Sequence, residues 1–454
     1  MTTNPPAEAI RKVRTLPAYT ILPRLARNPM SALRMIGKAA GGRVVRLDLG
    51  VFHPYVAPHP DQVQRILLDN AANYLREGMM WRPLQRLAGH GIAGEGSSWE
   101  FSRRVLQTAF SGRAVSALLD VMSATIEEAV DRLDKRIGRD EPVDAELEMT
   151  RIVQLAIIRT FFGNRIGVSE ADRLGEALKI ATVSFGPRML APFVPYSVPL
   201  PGDRAFHRAV RTVDEVMMPV VREARRAPAD RDDVVSLLIR ARDANGEPLG
   251  DRRVRDDLVG MFVGASESTA IALTWLWVAL DRHPEVAARL YAEIDEVVGT
   301  RPPGREHVPR LAYTKAVLDE VLRFYSVGWI VPRRLAADDV LDGVRVPAGS
   351  TVLVSPYLTH HLEEIWERPH EFDPDRFSPE RAARRHRFAY LAFGLGRHQC
   401  LGSHLFSVEC RLIVAALLRR FRPVLRTPQP VEPKVRLTVK PRRRVELVLR
   451  PTGT

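Results

Sequence analysis

The feature that most constrains the fold is a long apolar segment near the middle of the chain. Residues 258–280 form a run of 23 residues without Lys or Arg, inside a helical pattern that covers residues 251–282. As one helix, the run would be about 35 Å long, enough to cross a bilayer or a large core. Glu267 lies at its centre, and a carboxylate at mid-bilayer is costly. We therefore expect a helix buried inside a large soluble protein.

The length and composition agree with this expectation. The chain has 454 residues, of which 45% are hydrophobic and 27% are charged, and such a chain can bury a large core. These proportions exclude collagen, disordered and coiled-coil classes. Only two cysteines occur, Cys400 and Cys410, which excludes a disulfide scaffold and a zinc or iron–sulfur site with several cysteine ligands.

Helical periodicity dominates, and we predict a mainly α fold with a small β portion in one domain over residues 1–454. The segment 184–201 contains five prolines and cannot be one regular helix. The helices that we predict besides 251–282 cover residues 115–137, 149–162, 213–226, 313–325 and 401–421. Within this domain we expect an N-terminal arm over 1–30 and a helix-rich core over about 61–325 and 400–421. We expect small β parts over about 43–57, 344–354 and 435–449.

The chain is basic, with a net charge of +13. Such a charge can attract nucleic acid, an acidic membrane surface or an acidic protein. The sequence carries no recognised nucleic-acid-binding pattern, and its N-terminus resembles neither a signal peptide nor an anchor. We therefore expect no nucleic-acid partner, no transmembrane anchor and a cytoplasmic location, with a non-enzymatic basic binding protein as a remote alternative.

The candidate site for chemistry is a glycine-rich segment around Cys400. It precedes a helical pattern, and the positive end of a helix with its free N–H groups favours a thiolate, the form that binds metal. Gly396 and Gly402 allow the backbone to approach a flat ligand closely, and His398 adds a donor. The alternative is a small buried hydrophobe, which is the interpretation that we adopt for Cys410.

The pattern Phe393-x-x-Gly396-x-His398-x-Cys400-x-Gly402 resembles the haem-binding segment of the cytochrome P-450 family. The resemblance implies the fold of that family, with a long central helix over a haem b cofactor. It also implies that the Cys400 thiolate is the axial ligand of the haem iron.

Two further groups of residues fit the same family. Glu320 and Arg323 resemble its Glu-x-x-Arg pair, and Arg376 resembles the arginine that completes a structural lock behind the haem. Trp99 and Arg103 resemble its propionate-binding helix.

Two more positively charged candidates complete the propionate partners. Arg333 resembles a second propionate-binding arginine. Because Arg334 is also an arginine, the family's residue could correspond to either of these two positions. His398 is the third partner that the resemblance implies.

The segment 264–269 in the long helix resembles the family's oxygen-activation segment. Ala265 stands where the family usually has Gly, and Ser268 stands where it usually has Thr. The resemblance implies that Ala265 borders the haem and that Glu267 and an alcohol relay protons to bound O2. Thr269 is adjacent to Ser268, so either hydroxyl could serve.

The resemblance implies a bacterial-type monooxygenase that uses O2 and electrons from a separate ferredoxin or flavodoxin with its reductase. Family analogy places the substrate near residues 78–98, 184–202, 263–265 and 327–331, whose mostly apolar side chains favour a lipophilic small molecule. Terpenoid-, polyketide- and fatty-acid-like substrates of secondary metabolism, including antibiotic biosynthesis, all fit. A haem-thiolate peroxygenase or isomerase remains the alternative.

Basic residues flank Cys400 on both sides in the sequence and could attract an acidic electron donor. In the family, the donor docks on the cysteine side of the haem, where a positive surface would steer it. The candidates are Arg384, Arg385, His386, Arg387, Arg397, Arg411, Arg419 and Arg420.

Overall fold

The computed structural model describes residues 10–78, 81–138, 140–191, 194–226, 233–243 and 245–452. Helices predominate. They are α1 (Ala18–Arg27), α2 (Pro29–Ala40), α3 (Pro60–Gln64), α4 (Trp81–Ala88), α5 (Gly96–Ala109), α6 (Gly112–Ala117), α7 (Leu119–Arg136), α8 (Ala145–Phe162), α9 (Val168–Ser184), α10 (Gly186–Leu190), α11 (Asp203–Arg226), α12 (Val234–Arg240), α13 (Asp251–Arg282), α14 (Pro284–Val297), α15 (Ala312–Tyr325), α16 (Pro356–His360), α17 (Pro379–Ala383) and α18 (Ser403–Arg420).

The strands are short. They are β1 (Arg14–Leu16), β2 (Val45–Leu47), β3 (Tyr55–Ala57), β4 (Tyr74–Leu75), β5 (Val143–Asp144), β6 (Val331–Leu335), β7 (Asp339–Leu341), β8 (Val344–Val346), β9 (Thr351–Val354), β10 (Phe421–Leu425), β11 (Pro433–Val435), β12 (Val439–Pro441) and β13 (Glu446–Pro451). The mainly α fold with a small β portion is thereby confirmed.

The chain forms two compact units. The first contains the described residues of 1–78, 322–400 and 433–439, and the second those of 79–321, 401–432 and 440–454. The single-domain organisation over residues 1–454 stays a prediction.

The first unit is built on a six-stranded sheet with the order β1-β2-β3-β9-β6-β4. The β1–β2 and β3–β9 pairs are parallel and the other neighbours are antiparallel. Its apolar core joins residues from the sheet and from the loop that precedes Cys400, including Ala57, Val352 and Leu391. Buried Asp339 accepts hydrogen bonds from Arg65, Asn70 and Tyr74, so its charge is compensated inside this core.

The second unit is helical and has α13 in its interior. Most residues of α13 from Val254 to Leu280 are buried, and α8 and α11 pack against this helix. A three-stranded antiparallel sheet, β10-β13-β5, completes the unit. Among the described residues, α13 is the one helix long and apolar enough to span a membrane, but 72% of its apolar window is buried inside the protein. It is a core helix, as the polar residues at its centre predict.

Most predicted elements are confirmed, some with different ends. The run 251–282 is one helix with those ends, whereas the pattern over 115–137 is broken at Leu118 into α6 and α7, and the helix predicted from Val213 begins at Asp203. Residues 186–190 form one short helix inside the proline-rich segment.

The N-terminal arm over residues 1–30 stays a prediction, and its described part contains regular structure, with β1 over residues 14–16 and α1 over residues 18–27. Pro17 is the N-cap of α1 and has an extended backbone conformation.

Candidate functional site

The Cys400 segment is a tight loop held by its own backbone. The N–H of Cys400 donates to the carbonyl of Phe393 at 2.8 Å, and the N–H of Gln399 donates to Gly396 at 3.1 Å. Gly394 and Gly396 both have a positive φ, which favours glycine. Within this half-buried loop the Cys400 side chain is exposed, and it forms no disulfide.

Gly396 has a second reason to lack a side chain. A Cβ built at this position would lie 1.8 Å from the carbonyl oxygen of Leu67, in the one-turn π-helix over residues 65–69. The loop can therefore pack against that turn only with glycine here. This close approach accounts for one of the two glycines in the sequence pattern.

Helix α18 follows the loop, with Gly402 as its N-cap. Cys400 thus precedes the N-terminus of an 18-residue helix, whose dipole favours a thiolate. Cys410 is completely buried in α18, and burial raises the pKa of its thiol well above the ordinary value. An exposed thiol in a glycine loop beside a helix N-terminus fits an axial thiolate ligand of haem iron, whereas the Cys410 thiol does not.

The middle of α13 has accessible side chains, unlike the turns next to it. Gly264 is exposed and Ala265, Glu267 and Ser268 are half-buried, while the turns on either side are almost entirely buried. A Cβ at Gly264 would meet no atom within 4 Å. The structure therefore leaves open space beside the segment in which the sequence predicts oxygen chemistry.

The two candidate hydroxyls on α13 differ in exposure. Ser268 donates to the carbonyl of Gly264 at 2.8 Å, and Thr269 donates to Ala265 at 2.7 Å. Thr269 is only 3% exposed, whereas Ser268 is half-buried. Ser268 is the more accessible of the two.

The candidate propionate partners differ in burial. Trp99 is buried on α5 and Arg103 is half-buried one turn later. In β6, Arg333 is buried, whereas Arg334 is exposed and lies 3.6 Å from Glu77. Side chains alternate along a strand, so only Arg333 is turned towards the interior. His398 is half-buried in the cysteine loop.

The lock residues Glu320, Arg323 and Arg376 are all buried. Glu320 and Arg323 are one turn apart on α15. Arg323 donates to the carbonyls of His360, Pro369 and Glu371 at 2.8, 2.9 and 3.1 Å. Arg376 donates to the carbonyls of Glu367 and Arg368, the latter at 2.7 Å, and also reaches the same Glu371 carbonyl at 3.4 Å. The two guanidinium groups therefore order one backbone segment.

His360 is a residue of this network that the sequence did not reveal. Its Nε2 accepts the N–H of Leu391 at 2.8 Å, at the start of the cysteine loop. Complete burial and the charge of Arg323 lower the pKa of His360 well below its ordinary value, so the ring is neutral. With Nε2 an acceptor, the ring proton lies on Nδ1, which is 3.2 Å from the carbonyl of Arg323. A lone histidine carries no sequence signal for such a link.

The predicted basic residues around Cys400 do not form one free cluster. Arg411 donates to backbone carbonyls, and Arg419 and Arg420 share Glu127. Arg385 lies over the rings of Trp366 and Phe377. Arg384 and Arg387 are exposed.

Several apolar residues that family analogy assigned to the substrate are core residues. Trp81 and Phe185 are buried, and Phe185 packs on Phe206 with the ring centres 5.7 Å apart. Trp329 is half-buried and donates to the carbonyl of Arg436 at 2.9 Å. Met79, Met80 and Phe193 lie outside the described residues.

Comparison with known proteins identifies the class. Residues 12–448 match the family model named Cytochrome P-450, and the chain belongs to this family. Members of this family are haem-thiolate enzymes, so the cofactor is haem b. The relatives described next show that the chain is a monooxygenase of bacterial secondary metabolism.

Two of the most similar relatives come from Streptomyces. The chain is 34% identical to cyclooctat-9-en-7-ol 5-monooxygenase of Streptomyces melanosporofaciens, over 88% of this chain and 86% of the relative. It is 29% identical to pentalenene oxygenase of Streptomyces avermitilis, over 94% of each. The crystal structure of the cytochrome P-450DA heme domain matches with a TM-score of 0.87 and 24% identity, over 98% of each chain, and confirms the fold.

Proposed function

We propose that this protein oxidises a terpenoid-like lipophilic molecule with O2, with Cys400 as the axial ligand of the haem iron. The observation that carries the assignment is the exposed Cys400 thiol in its glycine loop before α18. Bound haem supplies the activation of O2, which protein side chains alone do not perform. The family membership supports haem chemistry, and the two Streptomyces relatives support a terpenoid-like substrate.

The chain's own residues hold the cofactor and move protons in this proposal. Arg103, Arg333 and His398 bind the propionates, because guanidinium and imidazole groups suit carboxylates. Glu267 and Ser268 carry protons from solvent along the accessible part of α13, with Thr269 as the alternative hydroxyl. Glu320, Arg323 and Arg376 form the lock that orders the segment next to the cysteine loop.

Electrons come from a separate ferredoxin or flavodoxin with its reductase in the cytoplasm. Exposed Arg384 and Arg387, in the same unit as Cys400, offer positive charge to an acidic donor.

The test is the absorption spectrum of the reduced protein treated with carbon monoxide. We expect the thiolate-type Soret band in the parent protein and its loss in Cys400→Ala. Cys410→Ala is the matched control, because it removes the other thiol and should keep the band. A thiolate spectrum that persists in Cys400→Ala would refute the ligand assignment.

The reaction type is tested separately by turnover. A library of lipophilic compounds is first screened for binding by difference spectra. We expect the compounds that bind to be oxidised when NAD(P)H, ferredoxin and reductase are added. Turnover with peroxide alone, and none with the reductase system, would instead identify a peroxygenase.

A further inference from the structure

The first part of α13 contains buried charged groups that the proposed chemistry does not use. Asp257 is 0% exposed and lies ten residues before Glu267 on the same helix. A buried carboxylate must obtain its hydrogen bonds from the protein, since it has lost those of water. The partners of Asp257 therefore show which part of the chain it holds.

Asp257 binds one point just before α5 and one point within this helix. Its Oδ1 accepts the N–H of Ile92 at 2.7 Å, and its Oδ2 accepts the hydroxyl of Ser102 at 2.6 Å. Arg253, one turn earlier on α13, donates to the hydroxyls of Ser98 and Ser102, both at 2.8 Å, and its Nε lies 3.6 Å from Asp257. Two side chains of α13 thus hold the chain between residues 92 and 102.

Glycines allow this segment to approach α13 so closely. A Cβ at Gly91 would lie 2.0 Å from Oδ1 of Asp257, and one at Gly89 would lie 1.8 Å from Oδ2 of Asp256. From the helix side, a Cβ at Gly260 would lie 2.8 Å from Cγ2 of Ile92. Side chains at these positions would force the segment away from the helix.

We propose that Asp257 is a positioning residue that fixes the 92–102 segment, and with it Trp99 and Arg103, at a set place along α13. Ser102 is adjacent to Arg103 in the sequence. The hydrogen bond between Ser102 and Asp257 therefore holds the backbone next to the arginine that we assign to a haem propionate. Asp257 then determines haem affinity without touching the haem. The inference rests on the proposed function for the role of Arg103, but the fixing of the segment stands independently of it.

The experiment compares Asp257→Ala, Asp257→Asn and a control in the full-length protein. Asp233→Ala is the control because Asp233 is another buried carboxylate with two protein donors, the N–H of Ser236 at 2.7 Å and Arg165 at 3.2 Å. Hydrogen–deuterium exchange by mass spectrometry reports on the peptide over residues 89–102. Absorbance titration with haemin reports on affinity.

In Asp257→Ala we expect exchange in this peptide to be faster, and haemin binding weaker, each by about tenfold, since a bond to a buried charged group is lost. Asp257→Asn should remain close to the parent protein, because its amide oxygen can accept from Ile92 and its NH2 can donate to the Ser102 oxygen. Asp233→Ala should leave both readouts unchanged even where it lowers thermal stability.

Unchanged exchange and haemin affinity in folded Asp257→Ala would overturn the proposal, and so would equal losses in Asp233→Ala. If Asp257→Ala does not fold, Ser102→Ala removes one of the two bonds and must show the same pattern to a smaller degree. If the parent protein takes up no haemin, the proposed function fails, while the exchange measurement still decides whether Asp257 holds the segment.

Discussion

Glu409 is a carboxyl group inside α18 whose protonation depends on pH in the accessible range. Burial raises its pKa to about 8, from an ordinary value near 4.5. Because the folded protein binds this proton more tightly than the unfolded chain, its contribution to stability is complete below about pH 4.5 and is lost as the pH rises to about 8.

We therefore expect Glu409→Gln to remove a pH dependence of stability. The free energy of unfolding of the parent protein should fall by roughly 2–4 kcal/mol from pH 5 to pH 8 through this group, and the Gln variant should lack that fall. Urea unfolding at several pH values measures it. Glu296→Gln, at an exposed position of α14, is the control and should keep the parental profile.

Ser268 and Thr269 can be separated by the efficiency of oxygen use. We expect Ser268→Ala to lower the product formed per NAD(P)H consumed, because the accessible hydroxyl is lost from the relay. Thr269→Ala should change this ratio less, since its hydroxyl is buried and bound to Ala265. Product and peroxide yields are measured together. A larger loss of product per NAD(P)H in Thr269→Ala than in Ser268→Ala would instead assign the proton relay to Thr269.

At the scale of elements, the cysteine loop depends on its contact with the turn over residues 65–69. Gly396→Ala should lower the free energy of unfolding by about 3 kcal/mol or more, because the new Cβ adds an overlap with the Leu67 carbonyl to the strain of a positive φ. It should also reduce haem content.

Gly394→Ala is the matched variant. Gly394 also has a positive φ, but its Cβ would meet nothing within 4 Å, so the cost should be about 1 kcal/mol. Equal losses of stability in the two variants would show that backbone conformation alone requires glycine in this loop.

The elements that the sequence predicts best are those with strong local patterns. The bounds of the helix over residues 251–282 follow from its own residues, and so does the glycine loop before Cys400. The strands have two to six residues, too few for periodicity to reveal β4, β6 or β10.

The contacts of Asp257 and His360 with distant segments are harder still to predict. Asp257 and Ile92 are 165 residues apart in sequence, and His360 and Leu391 are 31 apart. Nothing near either residue indicates its partner, because burial and partners are decided by tertiary packing. The candidate ligand was therefore predictable from the sequence, whereas the residues that hold its surroundings in place were not.

At the scale of the whole molecule, the net charge is +13, but many of the arginines are paired with carboxylates of the protein and are less able to attract a partner. Of the eight basic residues near Cys400 in sequence, Arg411, Arg419 and Arg420 have partners in the second unit, and Arg384 and Arg387 are exposed in the first. The electrostatic attraction of an acidic electron donor should therefore come from only a few of these residues.

We expect the double variant Arg384→Glu with Arg387→Glu to slow reduction by an acidic ferredoxin at low salt. It should also weaken the dependence of the rate on ionic strength, since the attraction is lost. Stopped-flow reduction over a salt series measures both. Arg443→Glu, a reversal at another exposed position, should have little effect, and an unchanged rate in the double variant would contradict docking at these residues.

The close contact of Gly89 and Gly91 with α13 has a consequence for engineering. Mutant libraries that aim to widen the range of accepted compounds often randomise loops, but at these two positions most replacements would collide with Asp256 or Asp257 and yield misfolded clones. Diversity placed at the exposed positions Tyr196 and Val198 would leave those carboxylates undisturbed and should return more active clones per plate.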